Sequence, residues 1–229
     1  MRLAAARALA GREGSLDEAA RRRLEETLDE LIRSRMLTAD LPATRLDLGQ
    51  LYEARGDPGR AEAEYRAAIA LEPGFAPSYV TLATLLEAGG RSADALATLE
   101  RGVERAGDDP TLHYALGLAH ARAEPSRLAL AHLGSAARSS PERSDLAVAH
   151  AVALNGAGRR GAARVALEEV LRTRPWDADA RFLLATILRD GGDRVAALRH
   201  AEALAGYWPG CRAIGVLVAE LGSTTLADR

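Results

Sequence analysis

Residues 56–74 read GDPGRAEAEYRAAIALEPG, and residues 192–210 read GDRVAALRHAEALAGYWPG. The interval from Gly56 to Gly192 is 136 residues, or four periods of 34. Shifting the whole chain by that period aligns Ala61, Ala95, Ala129, Ala163 and Ala197 in one column. Gly56, Gly90, Gly158 and Gly192 share a second column, with Glu124 as its exception. Pro73, Pro141, Pro175 and Pro209 share a third, broken by Gly107. A fourth runs Tyr65, Leu99, Leu133, Leu167, Ala201. The frames are 42–75, 76–109, 110–143, 144–177 and 178–211, without gap or insertion. A fixed period of this length restricts the fold severely. Each unit must bury its apolar face on its neighbours, so a stacked array is expected rather than one core with arbitrary long-range topology.

Each frame holds two helical patterns. In the first, Leu48, Leu51 and Tyr52 mark one apolar stripe, and Gly56 ends that helix in the left-handed cap conformation. Asp57 suits an N-cap and Pro58 the first turn of the next helix. Ala61, Tyr65, Ala68 and Ile69 then fall at helical spacing, and Pro73 stops the run. The small residue at Ala61 lets the paired helices approach closely. Composition agrees: aromatic residues are only 4% of the chain and Ala and Leu dominate its apolar set, which disfavours strands.

This pattern resembles the tetratricopeptide repeat family. The residues that carry it are Leu48-Gly49, Tyr52, Gly56, Ala61, Tyr65, Ala68 and Pro73 in the first frame. In the third they are Leu116-Gly117, Ala129, Leu133, Ala136 and Pro141. The family's tryptophan column is replaced by Arg45, Tyr79, His113, Ala147 and Arg181. The resemblance implies an all-α fold, a right-handed α-α superhelix of five helix-turn-helix repeats over 42–211. Residues 1–41 are expected to cap its start, with Ser15 and Glu18 forming a capping box and Leu16, Ala20, Leu24, Leu28, Leu31 and Ile32 one apolar face. Residues 212–229 are expected to close the other end through Ile214, Leu217, Val218 and Leu221, with a frayed GSTTLADR tail. The same four side chains equally suit a homodimer contact.

A looser resemblance runs to the C-terminal region of exported bacterial multihaem cytochrome-like proteins, through the Ala/Arg-rich RLAAARALAG at 2–11 followed by a long capped helix. It would make the chain the interaction arm of a larger redox parent. The haem attachment motif C-x-x-C-H is absent, since Cys211 is followed by Arg212, Ala213 and Ile214.

Charge and cysteine content narrow the function classes. Net charge is −2 and both signs are interspersed; Arg21-Arg22-Arg23 is followed at once by Glu25 and Glu26. That reads as solvated helix faces rather than the basic stripe of a nucleic-acid reader. All 30 basic residues are Arg, which reads as a GC-rich bacterial coding bias. One cysteine excludes an internal disulfide and a multi-thiolate zinc site. No apolar run is long enough to span a membrane. Arg7 interrupts the apolar stretch MRLAAARALAG, so no signal peptide is read there; the location stays open between the cytoplasm and, for a fragment of an exported parent, the periplasm.

In the family the first helix of each frame lines a groove. Its inward columns here are Leu46, Val80, Tyr114, Val148 and Phe182; then Gln50, Thr84, Leu118, Val152 and Thr186; then Glu53, Glu87, Ala121, Asn155 and Arg189. The resemblance thus implies an apolar groove centre with an acidic N-terminal rim, where Asp47 joins Glu53 and Glu87. Tyr114 and Phe182 are the expected anchors. The expected partner is a protein or peptide segment with apolar anchors and some basic character. Two known family uses are excluded. Leu46, Gln50, Thr81, Thr111 and Ala115 occupy columns where a carboxylate clamp needs Lys, Asn and Arg. Asp47, Thr81, Ala115, Ala149 and Leu183 replace the Asn ladder of sugar-transferase members.

No reaction chemistry is recognisable. His113 and His120 share a helix and His150 begins the next frame's first helix, but no carboxylate or thiolate stands at ligand spacing with them, so packing is the reading and no metal is expected. Asp108 and Asp109 read as caps of the following helix. Gly89-Gly90 and Gly191-Gly192 lie between helices without the strand that a phosphate loop requires. Cys211 reads as a packed or surface thiol. The expected function is a non-catalytic protein–protein interaction scaffold that needs no cofactor.

Overall fold

The structure is a computed structural model that describes residues 17–123 and 127–225. Among the described residues all regular secondary structure is helical, in twelve helices. Contacts divide them into two compact units, residues 1–115 and 116–229.

In the first unit, α1 (Glu18–Met36) begins at Asp17, whose side chain accepts the Ala20 amide at 2.7 Å. The cap is therefore Asp17 rather than the Ser15–Glu18 box. Glu18 is the first helical residue, too early to reach back as a third-position partner, and Ser15 and Leu16 lie outside the described residues. Leu24, Leu28 and Ile32 of α1 pack with Leu48 and Leu51 of α2 (Pro42–Ala54). Next come α3 (Pro58–Leu71), α4 (Ala76–Ala88), α5 (Ser92–Ala106) and α6 (Pro110–Ala123), in which the boundary between the units falls.

The second unit continues with α7 (Arg127–Ser139), α8 (Ser144–Gly156), α9 (Arg160–Thr173), α10 (Ala178–Asp190), α11 (Arg194–Tyr207) and α12 (Arg212–Thr225). Its core gathers Leu154, Leu167, Leu184, Leu188, Leu217 and Leu221. Ile214, Leu217 and Leu221 of α12 are buried within their own unit. A dimer contact through them would compete with that packing; among the described side chains of α12 the exposed large apolar one is Val216.

The turns inside four of the hairpins follow one chemical recipe. Gly56, Gly90, Gly158 and Gly192 all have φ between 73° and 86°, where only glycine is unstrained. The residue after each glycine bonds back five residues, as Asp57 N to Tyr52 O at 2.9 Å and Asp193 N to Leu188 O at 2.9 Å. This satisfies carbonyls that the helix end would orphan. Asp57 then accepts the Arg60 amide at 3.0 Å and Asp193 the Ala196 amide at 3.1 Å, so helices α3 and α11 start where the turns end. Asp109 likewise caps α6, accepting Thr111 N at 2.8 Å and Leu112 N at 3.0 Å.

The alanine column is buried throughout, at Ala61, Ala95, Ala129, Ala163 and Ala197. The tightest approach pairs Gly49 with Tyr65. A Cβ at Gly49 would lie 2.2 Å from Cε1 of the Tyr65 ring. That ring is wholly buried, and its hydroxyl donates to Glu53 at 3.0 Å.

In four of the five frames the column where the family carries tryptophan ties the hairpin to the turn before it. Arg45 Nε donates to Ala39 O at 2.6 Å, and Tyr79 Oη donates to Pro73 O at 2.8 Å. His113 Nε2 lies 2.8 Å from an Asp108 carboxylate oxygen. Arg181 Nε donates to Pro175 O at 3.1 Å. In the fourth frame Ala147 has no polar tip. There Arg174 donates to Pro141 O at 3.4 Å and also reaches Glu142 O. The chemistry varies while the task, pairing an otherwise orphaned turn carbonyl, stays the same in at least four frames.

Candidate functional site

The expected groove residues are described within each unit in turn. In the first, Leu46 is only 9% exposed and belongs to the core. Gln50 and Val80 are half-buried. Thr84 is exposed and donates back to Val80 O at 2.8 Å, so its hydroxyl proton is already used. Tyr114 is half-buried. Of the acidic rim, Asp47 faces Arg35 of α1 at 3.2 Å and Glu53 accepts the Tyr65 hydroxyl. Glu87, half-buried, forms no hydrogen bond or ion pair among the described residues.

In the second unit, Leu118, Val148 and Asn155 are half-buried and Ala121 is exposed. Val152 on α8 is 53% exposed and Phe182 on α10 is 40% exposed, and α8 and α10 touch directly. Thr186 donates to Phe182 O at 3.0 Å, which leaves an apolar surface around the Phe182 ring. Arg189 bonds Asp190 at 2.9 Å and Glu220 of α12 at 3.4 Å. These carboxylates, Asp190 foremost, push its pKa upward and fix it as a structural tie.

The histidines do not converge. His120 and His132 stack with ring centroids 5.7 Å apart and planes 7° from parallel. Burial chiefly, then Arg138, depresses the His150 pKa. Burial chiefly, then Arg181, depresses that of His200, whose Nδ1 lies 3.4 Å from the Arg181 guanidinium. The His113–Asp108 contact is one that spacing along the sequence did not suggest. Among the described residues no three His, Cys, Asp or Glu side chains are grouped to hold a metal. Cys211 is exposed. No described helix is long and apolar enough to cross a membrane.

A helical-hairpin array with glycine-capped turns and a buried alanine column is the geometry that the 34-residue period demands. Residues 52–119 match the tetratricopeptide repeat family. That stretch belongs to the tetratricopeptide repeat family. No curated protein sequence matches the chain at a significant level. Solved structures agree on the repeat protein's fold. YrrB, described as a TPR protein with an unusual peptide-binding site, superposes with a TM-score of 0.63 at 18% identity, covering 83% of this chain and 97% of its own. PilF of Pseudomonas aeruginosa gives 0.65 at 17% identity, with 86% of each chain covered. MamA gives 0.61 at 18% identity, covering 72% of this chain and 90% of its own. Identities this low speak for the fold alone. The repeat protein is thus built as a protein-interaction scaffold, in a family that is typically non-enzymatic. The cytochrome-like resemblance, whose Ala/Arg-rich segment at 2–11 lies outside the described residues, gains no support from these relatives.

Sequence reading missed exposed aromatics outside the groove columns. Trp176 is 62% exposed, and Tyr207 and Trp208 stand with rings 5.6 Å apart. They sit at helix ends and turns, where an apolar residue breaks no helical period and so gives no signal.

Proposed function

We propose that the repeat protein is a non-catalytic scaffold, organised as five repeats over 42–211, that holds a partner segment against the first helices of its hairpins. The observation that carries this reading is the exposed apolar surface of Phe182 and Val152 on the touching helices α8 and α10. Exposed aromatics on rigid helices make good anchors, because little side-chain freedom is lost on binding. The description of YrrB as peptide-binding shows that an array of this kind can take such a ligand. In the first unit, Glu87 is the acidic group left for a basic residue of the partner, since Asp47 and Glu53 already have partners. Val148, Asn155 and Thr186 would flank the anchor on the second unit.

The test is a peptide-array screen followed by titration of the best hits. Phe182→Ala is expected to weaken binding by more than about 1 kcal/mol, the threshold of an anchor residue. Tyr114→Ala, half-buried, is the parallel test on the first unit. Hits that bind both variants as tightly as the parent would remove these helices as the partner surface.

A further inference from the structure

The first unit carries a second surface that the family reading does not use. Helices α3 and α5 are the second helices of two successive hairpins, and a cleft of about 370 Å³ opens beside them. Its apolar lining is Ile69 and Ala70 of α3, Pro73, and the Tyr79 ring. Its charged lining is Arg66, Arg101 and Arg105, and no carboxylate lines it.

The three cations are not equivalent. Arg66 is paired with Glu62 at 2.6 Å. Arg101 and Arg105, one turn apart on the exposed face of α5, form no hydrogen bond or ion pair among the described residues. A smaller cleft of about 260 Å³ adjoins it, sharing Arg66 and Arg101 and lined also by Arg91 and Asp94. There Arg91 is held by Glu62 and by Asp94, each at 2.8 Å. Uncompensated positive charge therefore lies at the Arg101–Arg105 end, beside the larger apolar hollow. Arginine stems cover apolar surface on many helices. Here they leave a hollow wide enough for a large apolar side chain, with free guanidinium groups at its margin.

We propose that this cleft binds an acidic peptide segment, with one apolar side chain seated on Ile69, Ala70 and Tyr79 and neighbouring carboxylates paired with Arg101 and Arg105. Charge complementarity selects this occupant: guanidinium groups pair bidentately with carboxylates, and such pairs beside an apolar floor are partly shielded from water. The partner has the opposite charge to the one expected on the first helices of the hairpins, so the two surfaces are separable by experiment.

The probe is a fluorescein-labelled Glu-Glu-Phe-Glu-Glu peptide titrated against the intact chain and followed by anisotropy. Its controls are Gln-Gln-Phe-Gln-Gln and Glu-Glu-Ala-Glu-Glu. Binding of the first peptide is expected to exceed that of each control by about tenfold, and to weaken as salt shortens the screening length from about 10 Å at 0.1 M to about 3 Å at 1 M. The Arg101→Gln/Arg105→Gln variant, altered only at exposed positions, is expected to fold normally by circular dichroism and to lose about tenfold in affinity. Ala70→Trp, also exposed, fills the hollow and should lose as much without changing charge. Phe182→Ala should bind this peptide unchanged. The proposal is overturned if the Gln peptide binds as well, if both cleft variants bind normally, if Phe182→Ala abolishes binding, or if no binding is seen at millimolar peptide.

Discussion

Gly49 and Tyr65 show how one residue sets the spacing of a hairpin. The same pair of columns reads Ala83–Leu99, Gly117–Leu133, Ala151–Leu167 and Ala185–Ala201 along the chain. Glycine faces the tyrosine because the ring occupies the space a Cβ would take. Gly49→Ala is therefore expected to cost about 1–3 kcal/mol, as overpacking of a close-packed interior does. The adjacent frames supply the rescue. Ala83–Leu99 and Ala151–Leu167 are both well buried, so Gly49→Ala/Tyr65→Leu should recover part of the loss. Denaturant melts of both singles and the double measure the coupling, and an additive double would deny that the two side chains compete for one space. A second residue-scale expectation concerns His150 and His200. Their folded pKa values lie below the ordinary 6.5 because burial disfavours the charged ring. Above 6.5 both states are neutral and nothing is at stake. As pH falls through 6.5 the unfolded chain takes up protons first, so stability drops until the folded rings also protonate. His150→Gln/His200→Gln should flatten the fall in melting temperature between pH 7 and about pH 5. An unchanged slope would place the pH sensitivity elsewhere.

At the scale of the element, the lesson lies in the column where tryptophan is missing. Arg45 and Arg181 use a guanidinium and Tyr79 a phenol hydroxyl, yet each donates to the carbonyl six residues upstream. Tyr79→Phe keeps the ring and removes only the donor to Pro73 O. It should cost about 0.5–1.5 kcal/mol, the net worth of a single hydrogen bond, and should speed exchange of amides around residues 72–78. A loss no larger than a surface change, within about 0.5 kcal/mol, would show that water replaces the hydroxyl there. Helices, glycine turns and buried columns were legible in the sequence because each follows from spacing and from backbone restrictions on Gly, Pro and Asp. The tie to the preceding turn was not legible, because a donor can come from Arg, Tyr or, as at Arg174, from a different helix. The groove was half legible for a related reason. Period alone places Leu46 and Phe182 in one column, yet the first is only 9% exposed while the second stays 40% exposed. The α3–α5 cleft was invisible, since its lining comes from three helices and the arginines of α3 and α5 read only as solvated charge.

Over the whole molecule, the interactions are short in sequence. Side-chain bonds between hairpins reach about one period: Arg174 to Pro141 spans 33 residues, Arg189 to Glu220 spans 31, and Arg91 to Glu62 spans 29. An array of this kind draws its stability from each repeat and its neighbours, so cooperativity can be broken locally. Leu133 provides the test. It is buried in α7 against Gly117, and Leu133→Ala should cost about 2–5 kcal/mol. If the chain behaves as a nearest-neighbour array, that loss will appear in native-state hydrogen exchange as faster exchange in α7 and α8, while amides of α2 and α3 keep their protection. A single globally cooperative core predicts the opposite, an equal acceleration of the slowest amides everywhere. The two outcomes differ qualitatively, and they decide whether a partner bound to the second unit stabilises only that unit or the entire chain.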